Sequence, residues 1–216
     1  MLKISWIKNL NQLLIWSLFF ICSAHAGIAY SAPKTVLVLG DSLSAEYGLA
    51  RGTGWVALLE QRLQQKKLNV TVINASISGE TTSGAASRIG ELLKKYQPST
   101  VIIELGGNDG LRGLPIPAAK QNFRSIITAC QSAKAAVLMV GMQIPPNYGR
   151  SYTDKFTAMY GEVAKEMRVP LVPFLLAGVF EQADLFQADH IHMIAAAHPR
   201  ILDNVWPYLY PLISGK

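Results

Sequence analysis

Three residues have the types and the spacing that nucleophilic catalysis needs. Ser42 stands in the pentapeptide GDSLS, directly after an apolar run, and Asp189 and His192 stand in QADHIHM near the other end of the chain. A serine becomes a nucleophile when a base takes its proton and an acid orients that base. The interval of three residues lets one turn of backbone bring the Asp189 carboxylate beside the His192 ring. The sequence therefore predicts acyl transfer on Ser42, with His192 as the base and Asp189 as the orienting acid.

The pentapeptide by itself allows two other interpretations. Asp41 and Ser42 are residue types that cap helices, so the segment could be a plain helix start. The Ser42 and Ser44 hydroxyls could also bind the phosphate of a flavin in a non-catalytic module. The segment GDSLSAEYG contains neither Gly-x-Gly-x-x-Gly nor a lysine after glycine, which weakens a nucleotide-binding interpretation. The pentapeptide alone does not choose among the three.

The other histidines after residue 26 are His190 and His198. His190 directly follows Asp189, which is the wrong spacing for that carboxylate to orient it, so we expect an exposed loop residue. His198 precedes Pro199, and we expect it at the start of the last helix in a structural role. The two histidines of HIH could hold a metal on one face of a strand, but no second acidic or cysteine ligand pattern accompanies them. We predict that the protein uses no metal.

Acyl transfer also creates an oxyanion, which needs hydrogen-bond donors that are already in place. Two further glycine-containing loops, ASISGE at 75–80 and GGNDG at 106–110, can supply them. We expect the backbone N–H groups of Ser42 and Gly79 and the side-chain amide of Asn108 to form the oxyanion hole. Asparagine is also a common turn-former, and this is the competing interpretation of Asn108.

Apolar runs rich in β-branched residues alternate with stretches of helical period along the chain. Runs such as TVLVL, VIIEL and AVLMV are apolar on both faces, as in parallel strands that helices cover on each side. The expected strands are Thr35–Leu39, Val70–Asn74, Val101–Leu105, Ala136–Val140 and Leu171–Phe174. The expected helices are Trp55–Gln65, Ser83–Tyr96, Ala118–Ala133, Tyr152–Met167 and a last one from Pro199 to about Tyr208. Five such strands with right-handed crossovers predict a three-layer α/β fold, in which ligands bind at the carboxyl ends of the strands.

The first 26 residues differ from the rest of the chain. Two lysines precede the apolar run Leu13–Cys22 and the small-residue site Ala24–Ala26, which is the three-part pattern of a secretory signal. The apolar run is too short to cross a membrane. We expect cleavage after Ala26, a periplasmic or secreted protein, and one hydrolase domain over residues 27–216.

Charge and cysteine content narrow the choice of partners. The chain has 20 basic and 14 acidic residues, a net charge of +6, and the two lysines of the predicted signal account for two of these charges. No basic run is present, so we predict no nucleic-acid partner, although a transient contact with a membrane surface is compatible with the mild positive charge. Cys130 is alone after residue 26, so it forms no internal disulfide, and we expect it in the core. We expect a monomer that acts on a small-molecule or lipid acyl substrate.

The motifs together resemble the four sequence blocks of the SGNH, or GDSL-type, hydrolases. GDSLS, ASISGE, GGND and DHIH occur in the family's order, and the resemblance covers about residues 35–213. It implies a flavodoxin-like parallel sheet of strand order 2-1-3-4-5 with helices on both faces, and hydrolysis of esters and thioesters without metal or cofactor. It also implies the catalytic and oxyanion-hole roles given above, and it adds Asp41 as a residue that holds the nucleophile turn.

Longer stretches, LGDSLSAEYG, NASISGETT, ELGGNDGLRG and PPNYGRSY, are similar to the periplasmic acyl-CoA thioesterase, lysophospholipase and arylesterase subgroup. This resemblance implies arylesters, fatty acyl-CoA thioesters and lysophospholipids as substrates. A carbohydrate or cell-wall O-acetyl esterase that uses the same site is the alternative. Five residues of the loops after the third and fourth strands could form the wall of an acyl groove: Leu111, Leu114, Ile116, Ile144 and Pro145.

The histidine block departs from the family pattern at two positions. The family usually has glycine after the acid and proline after the histidine, whereas this chain has His190 and Met193. His192 is assigned as the base because it alone keeps the Asp-x-x-His spacing.

Overall fold

The alternating pattern of the sequence produces one parallel sheet. In this computed structural model, which describes residues 34–214, five strands pair in the order β2-β1-β3-β4-β5. They are β1 (Lys34–Gly40), β2 (Val70–Asn74), β3 (Thr100–Glu104), β4 (Ala136–Val140) and β5 (Leu171–Val172), and each pairs in parallel with its neighbours. The strand order expected from the family resemblance is confirmed. The signal peptide predicted for residues 1–26 lies outside the described residues.

Helices cover both faces of this sheet. All five residues of β3 are buried, and successive side chains of a strand point to opposite faces, so both faces are covered. The helices are α1 (Trp55–Gln65), α2 (Thr82–Tyr96), the short α3 (Gly107–Leu111), α4 (Ile116–Ser132), α5 (Arg150–Met167) and α6 (His198–Ser214). α1 packs against α6, while α4 packs against both α2 and α5. Short 3₁₀ turns lie at Pro146–Tyr148, Ala183–Leu185 and Ala195–Ala197.

The last strand is shorter than the sequence predicts, and β3 lies one residue earlier. Pairing of β5 with β4 ends at Val172, whereas the prediction extended it to Phe174. The next residue, Pro173, has no N–H group to donate to the ladder, which explains the early end.

The last helix is longer than the sequence predicts. It continues to Ser214 although Pro207 and Pro211 lie inside it. Proline weakens a helix by removing a hydrogen bond, but α6 buries apolar side chains at intervals of four residues. Packing of that buried face offsets the missing bonds. None of the helices among residues 34–214 combines the length and the apolar character needed to cross a membrane.

Candidate active site

The nucleophile turn begins where β1 ends. The backbone N–H groups of Ser44 and Ala45 donate to the Asp41 carbonyl oxygen at 3.2 and 3.0 Å, and the Leu43 N–H donates to Asp41 Oδ1 at 3.0 Å. These bonds fold the chain back at once and leave the Ser42 side chain half-buried at the carboxyl edge of the sheet. The first helix after the turn begins only at Trp55, so Asp41 caps a turn and not a helix start.

The histidine loop is a tight hairpin after β5. An isolated antiparallel bridge joins Phe186 to Met193, and the Gln187 N–H donates to the His192 carbonyl oxygen at 2.7 Å. Met193, which stands where the family has proline, is 1% exposed and anchors the hairpin in the core. His190 occupies the turn with a φ of 57°, a left-handed conformation that glycine adopts more easily. This conformation explains why the family usually has glycine at that position.

The two loops bring together the three residues that the sequence singles out for catalysis. His192 Nδ1 lies 2.6 Å from Asp189 Oδ2, and His192 Nε2 lies 2.8 Å from Ser42 Oγ. The other carboxylate oxygen, Asp189 Oδ1, accepts the backbone N–H groups of Ile191 and His192, each at 3.0 Å. A residue 150 positions away in the sequence thus reaches the Ser42 hydroxyl.

The electrostatics of the Asp189 carboxyl fix the orientation of the imidazole. Desolvation raises the pKa of Asp189, but hydrogen bonds from the His192 backbone, the His192 ring and the Ile191 backbone outweigh it and lower the pKa to about 2. Asp189 is therefore a carboxylate at neutral pH and can only accept hydrogen bonds. The ring proton must lie on Nδ1, which leaves the Nε2 lone pair of His192 to accept the Ser42 hydroxyl proton.

Three strand ends contribute the predicted oxyanion donors. Neither the Ser42 N–H nor the Gly79 N–H donates to any atom of residues 34–214. Gly79 has a φ of 79°, which a side chain would disfavour. Asn108 comes from α3, a helix of five residues where the sequence predicted a loop. Its Nδ2 donates to Asp41 Oδ2 at 3.1 Å and to the Glu80 carbonyl oxygen at 3.0 Å, so both amide protons are already paired.

Asp41 connects the nucleophile turn to Asn108 through its two carboxyl oxygens. It is 2% exposed. Burial raises its pKa to about 6, although hydrogen bonds from Leu43 and Asn108 and the proximity of His192 oppose the shift. Asp41 thus holds the turn, as the family resemblance implies, and also orients the Asn108 amide.

A second buried acid, Glu104, lies beneath the nucleophile turn and was not singled out from the sequence. Glu104 Oε2 accepts the Ser44 hydroxyl at 2.6 Å and lies 3.4 Å from the Asp41 N–H. Ser44 Oγ in turn accepts the Trp55 indole N–H at 3.2 Å. Among the described residues, Glu104 Oε1 has no hydrogen-bond partner. Complete burial, followed by the nearby Asp41 charge, raises the Glu104 pKa well above its usual range. A single acid inside the apolar run VIIEL is the signal that could have identified it.

A mostly apolar pocket opens beside Ser42. Its volume is about 300 Å³. The predicted groove residues Leu111, Ile144 and Pro145 line it, whereas Leu114 and Ile116 do not. Further apolar lining comes from residues that the sequence did not indicate: Tyr47, Met142, Leu176, Phe180, Phe186 and Ile191. Most of the walls therefore come from the loops after β4 and β5.

The remaining candidate residues take the places that the sequence predicts. His198 is the first residue of α6, is 2% exposed, and its Nδ1 accepts the Trp55 backbone N–H at 3.0 Å. Burial lowers its pKa. His190 is exposed at the mouth of the pocket, and Cys130 is buried in α4. Within residues 34–214, no group of three or more histidine, cysteine, aspartate or glutamate side chains is arranged to hold a metal ion.

Comparison with known proteins relates this geometry to a family. Residues 38–200 match the model of the GDSL-like Lipase/Acylhydrolase family. The chain is 48% identical to Esterase TesA of Pseudomonas aeruginosa over 183 residues, 85% of this chain and 91% of the relative. It is 40% identical to the Thioesterase 1/protease 1/lysophospholipase L1 of Escherichia coli K12 over 208 residues, 96% of this chain and 99% of the relative.

A solved structure shows the same fold. A crystal structure of the psychrotrophic esterase EstA from Pseudoalteromonas sp., inhibited by monoethylphosphonate, superposes with a TM-score of 0.80 at 38% identity. The match covers 84% of this chain and 99% of that one.

Proposed function

The chain belongs to the GDSL-like lipase/acylhydrolase family and is an ester-hydrolysing enzyme, and we propose that Ser42 is its nucleophile, activated by His192 and Asp189. One observation carries this proposal. Contacts of 2.6 and 2.8 Å run from the Asp189 carboxylate through the His192 ring to Ser42 Oγ, and the serine lines an apolar pocket. A structural turn or a flavin-binding loop requires no such relay.

The first chemical step forms an acyl-enzyme. Ser42 Oγ attacks the carbonyl carbon of an ester or thioester while its proton passes to His192 Nε2. The carbonyl oxygen becomes negatively charged and is stabilised by the N–H groups of Ser42 and Gly79 and by the Asn108 amide. The bond to the alcohol or thiol then breaks, and the leaving group takes the proton from His192.

The second step returns the enzyme to its starting state. A water molecule gives a proton to His192 Nε2 and attacks the acyl carbon, and the same donors stabilise the new oxyanion. The Ser42 ester bond breaks, Ser42 Oγ takes the proton back, and the carboxylic acid leaves. Asp189 remains ionised throughout and stabilises the imidazolium that forms in both steps.

Asn108 has to release one hydrogen bond before it can donate to the oxyanion. Its bond to the Asp41 carboxyl is charge-assisted when Asp41 is ionised, whereas its bond to the Glu80 carbonyl is between neutral groups. The neutral bond is the weaker one. We therefore expect the oxyanion to replace the Glu80 carbonyl as acceptor while Asp41 keeps the amide in place.

The pocket supports acyl groups longer than acetyl as substrates. A volume of about 300 Å³ holds about ten heavy atoms if each takes the ~30 Å³ that a water molecule occupies in the liquid. Its apolar walls stabilise a hydrocarbon chain by roughly 0.8 kcal/mol for each buried methylene group. We propose acyl thioesters and lysophospholipids as substrates because they correspond to the name of the Escherichia coli relative, and arylesters because they correspond to the name of an Arylesterase of Vibrio mimicus that is 40% identical.

A chain-length series tests this specificity. We expect kcat/KM on p-nitrophenyl esters to rise from acetyl to octanoyl and to level off or fall at palmitoyl. Ser42→Ala, measured on every ester, is the control for background hydrolysis. An enzyme that accepts acetyl and rejects longer acyl groups would instead be an O-acetyl esterase on the same site.

Exposed apolar side chains at the carboxyl edge support a transient contact with a lipid surface. Tyr47, Ile77 and Ile191 are 49%, 51% and 48% exposed, and they follow three different strands. We expect the wild type to co-sediment with phosphatidylcholine vesicles. Ile77→Asp should weaken co-sedimentation and leave hydrolysis of soluble p-nitrophenyl butyrate unchanged, because Ile77 does not line the pocket. Equal co-sedimentation of both proteins would rule out this surface.

The proposal includes export of the enzyme. It is supported by the lysines, the apolar run and the small-residue site of residues 1–26. The intact mass of the protein recovered from the periplasmic fraction should correspond to residues 27–216. A mass that includes residues 1–26 would contradict cleavage after Ala26.

A further inference from the structure

Tyr47, which lines the pocket, is an aromatic residue in direct contact with the histidine of the site. Its ring centroid lies 4.3 Å from that of His192, with the two planes inclined by 37°. The side chain is 49% exposed, so core packing does not explain its position. The His192 side chain beneath it is only 15% exposed.

The backbone of Tyr47 is fixed to both catalytic loops. Its N–H donates to the Ser42 carbonyl oxygen at 3.3 Å, within the nucleophile turn. Its carbonyl oxygen accepts the Gln187 side-chain amide at 3.0 Å, and the same amide nitrogen donates to the Met193 carbonyl oxygen at 2.9 Å. Gln187 thus links the turn of Ser42 to the hairpin of His192, and the link to the turn is made through the Tyr47 carbonyl oxygen.

The residue before Tyr47 adds a second constraint. Glu46 has a φ of 59°, a backbone conformation that is unfavourable for residues other than glycine. Its carboxylate accepts the N–H groups of Gly52 and Gly54 at 2.9 and 2.8 Å, which compensates for that conformation. The loop therefore keeps a strained geometry that holds the exposed ring over His192.

We propose that Tyr47 is a positioning residue for His192, and that its ring stabilises the imidazolium which forms during catalysis. This inference rests on the proposed function, in which His192 takes a proton in both chemical steps. An aromatic face attracts a cation at this distance. The Tyr47 ring also packs on one face of the imidazole and so restricts rotation of the His192 side chain. Asp189 and Asp41 are the acidic groups whose negative charges also stabilise a positive charge on the His192 ring. Tyr47 adds to this stabilisation from the side of the ring that faces solvent.

The mechanism predicts that removal of the ring lowers kcat. The transition states of acylation and deacylation both contain the imidazolium, so kcat falls whichever step limits the rate. The Tyr47 ring is half-exposed, so its cation–π contact with His192 is intermediate between a fully exposed contact and a desolvated one. Loss of such a contact is expected to lower the rate by roughly three- to tenfold. KM for a short ester should change less than kcat does, because the Tyr47 ring is only one of several apolar side chains that line the pocket.

The experiment compares three substitutions at position 47 on p-nitrophenyl butyrate. Tyr47→Phe keeps the aromatic face, and we expect kcat within about twofold of wild type. Tyr47→Leu and Tyr47→Met remove it and should lose kcat to a similar extent. Tyr208→Leu, at an exposed tyrosine of α6 that does not line the pocket, is the matched control and should leave kcat and KM unchanged.

The outcomes separate this inference from the function on which it rests. Loss of activity in Tyr47→Phe equal to that in Tyr47→Leu would overturn the role of the ring, as would an effect of Tyr47→Leu on KM alone or no effect at all. His192→Ala belongs to the same series. If His192→Ala stays as active as wild type, the proposed function itself fails, whatever the Tyr47 variants do.

Discussion

Replacement of Glu104 by glutamine should stabilise the protein, and increasingly so as the pH rises. Glu104 is completely buried, its pKa is raised well above 4.5, and Oε1 has no partner among the described residues. In the unfolded chain the same carboxyl ionises near its ordinary pKa. Between these two pKa values the folded state holds one proton that the unfolded state has lost.

The sign and size of the effect follow from this difference in bound protons. Below about pH 4.5 Glu104 is protonated in both states, and its contribution to stability is fully present. As the pH rises toward the folded-state pKa, the free energy of unfolding falls by about 1.4 kcal/mol per pH unit for this one group. The loss accumulates until the pH reaches the folded-state pKa of Glu104.

Glu104→Gln removes this dependence but keeps the shape of the protonated acid. The amide oxygen can still accept the Ser44 hydroxyl and the Asp41 N–H. We therefore expect the stability difference between variant and wild type to grow with pH. Glu60→Gln, on the exposed side of α1, controls for the loss of a carboxyl group and should show a small, constant difference.

Urea unfolding at pH 5, 6, 7 and 8 measures this difference, with the midpoint and slope compared at each pH. A growing advantage of Glu104→Gln with an unchanged slope is the expected result. A difference that stays flat from pH 5 to 8 would refute the reasoning, because it would mean that Glu104 binds protons equally in both states. A Glu104→Gln that is less stable than wild type at every pH would refute it too.

The proposed mechanism also predicts the effects of other substitutions. Ser42→Ala and His192→Ala should each remove nearly all turnover, and the double variant should be no less active than either single variant, because the two residues act as a unit. Measurement of kcat for the three proteins tests this, and additive losses would contradict the pairing. Asn108→Ala should lower kcat by about 10² to 10³ if its amide holds the oxyanion, whereas an unchanged kcat would leave it only a structural role. His198→Ala should keep most of kcat but lose about 1 to 3 kcal/mol in urea unfolding, since the buried Trp55 N–H loses its acceptor; inactivity in a folded His198→Ala would contradict the choice of His192 as the base.

The sequence predicts those parts of the fold that have clear local boundaries. The predicted bounds of β2, β4 and α1 are the observed ones. Each of them begins and ends within two residues of a glycine, a polar residue or a charged residue. The short helix α3 was predicted as a loop because five residues that include two glycines give no readable helical period.

The site was predictable where spacing alone brings residues together. Asp189 and His192 are three residues apart, so their contact follows from one turn of backbone. The strand ends that carry Ser42, Gly79 and Asn108 meet because parallel strands align their carboxyl ends.

Contacts that depend on the three-dimensional arrangement were not predictable. Glu104 meets Ser44 across 60 residues, and Tyr47 meets His192 only because the long segment after β5 folds back over the nucleophile turn. The pocket walls from Leu176, Phe180 and Phe186 lie in that same segment, which has no regular period. The pattern of a single sequence reflects local geometry, and it does not indicate where a segment without a regular period packs.

The most direct test of the proposed nucleophile is the intact mass of the protein after treatment with a fluorophosphonate. An activated serine attacks phosphorus and forms a stable adduct, whereas an ordinary surface hydroxyl does not react. We expect a single adduct on the wild type and none on Ser42→Ala, with His192→Ala strongly slowed. A folded wild type that forms no adduct, or a Ser42→Ala that is labelled as fast as wild type, would contradict the assignment of Ser42 as the nucleophile.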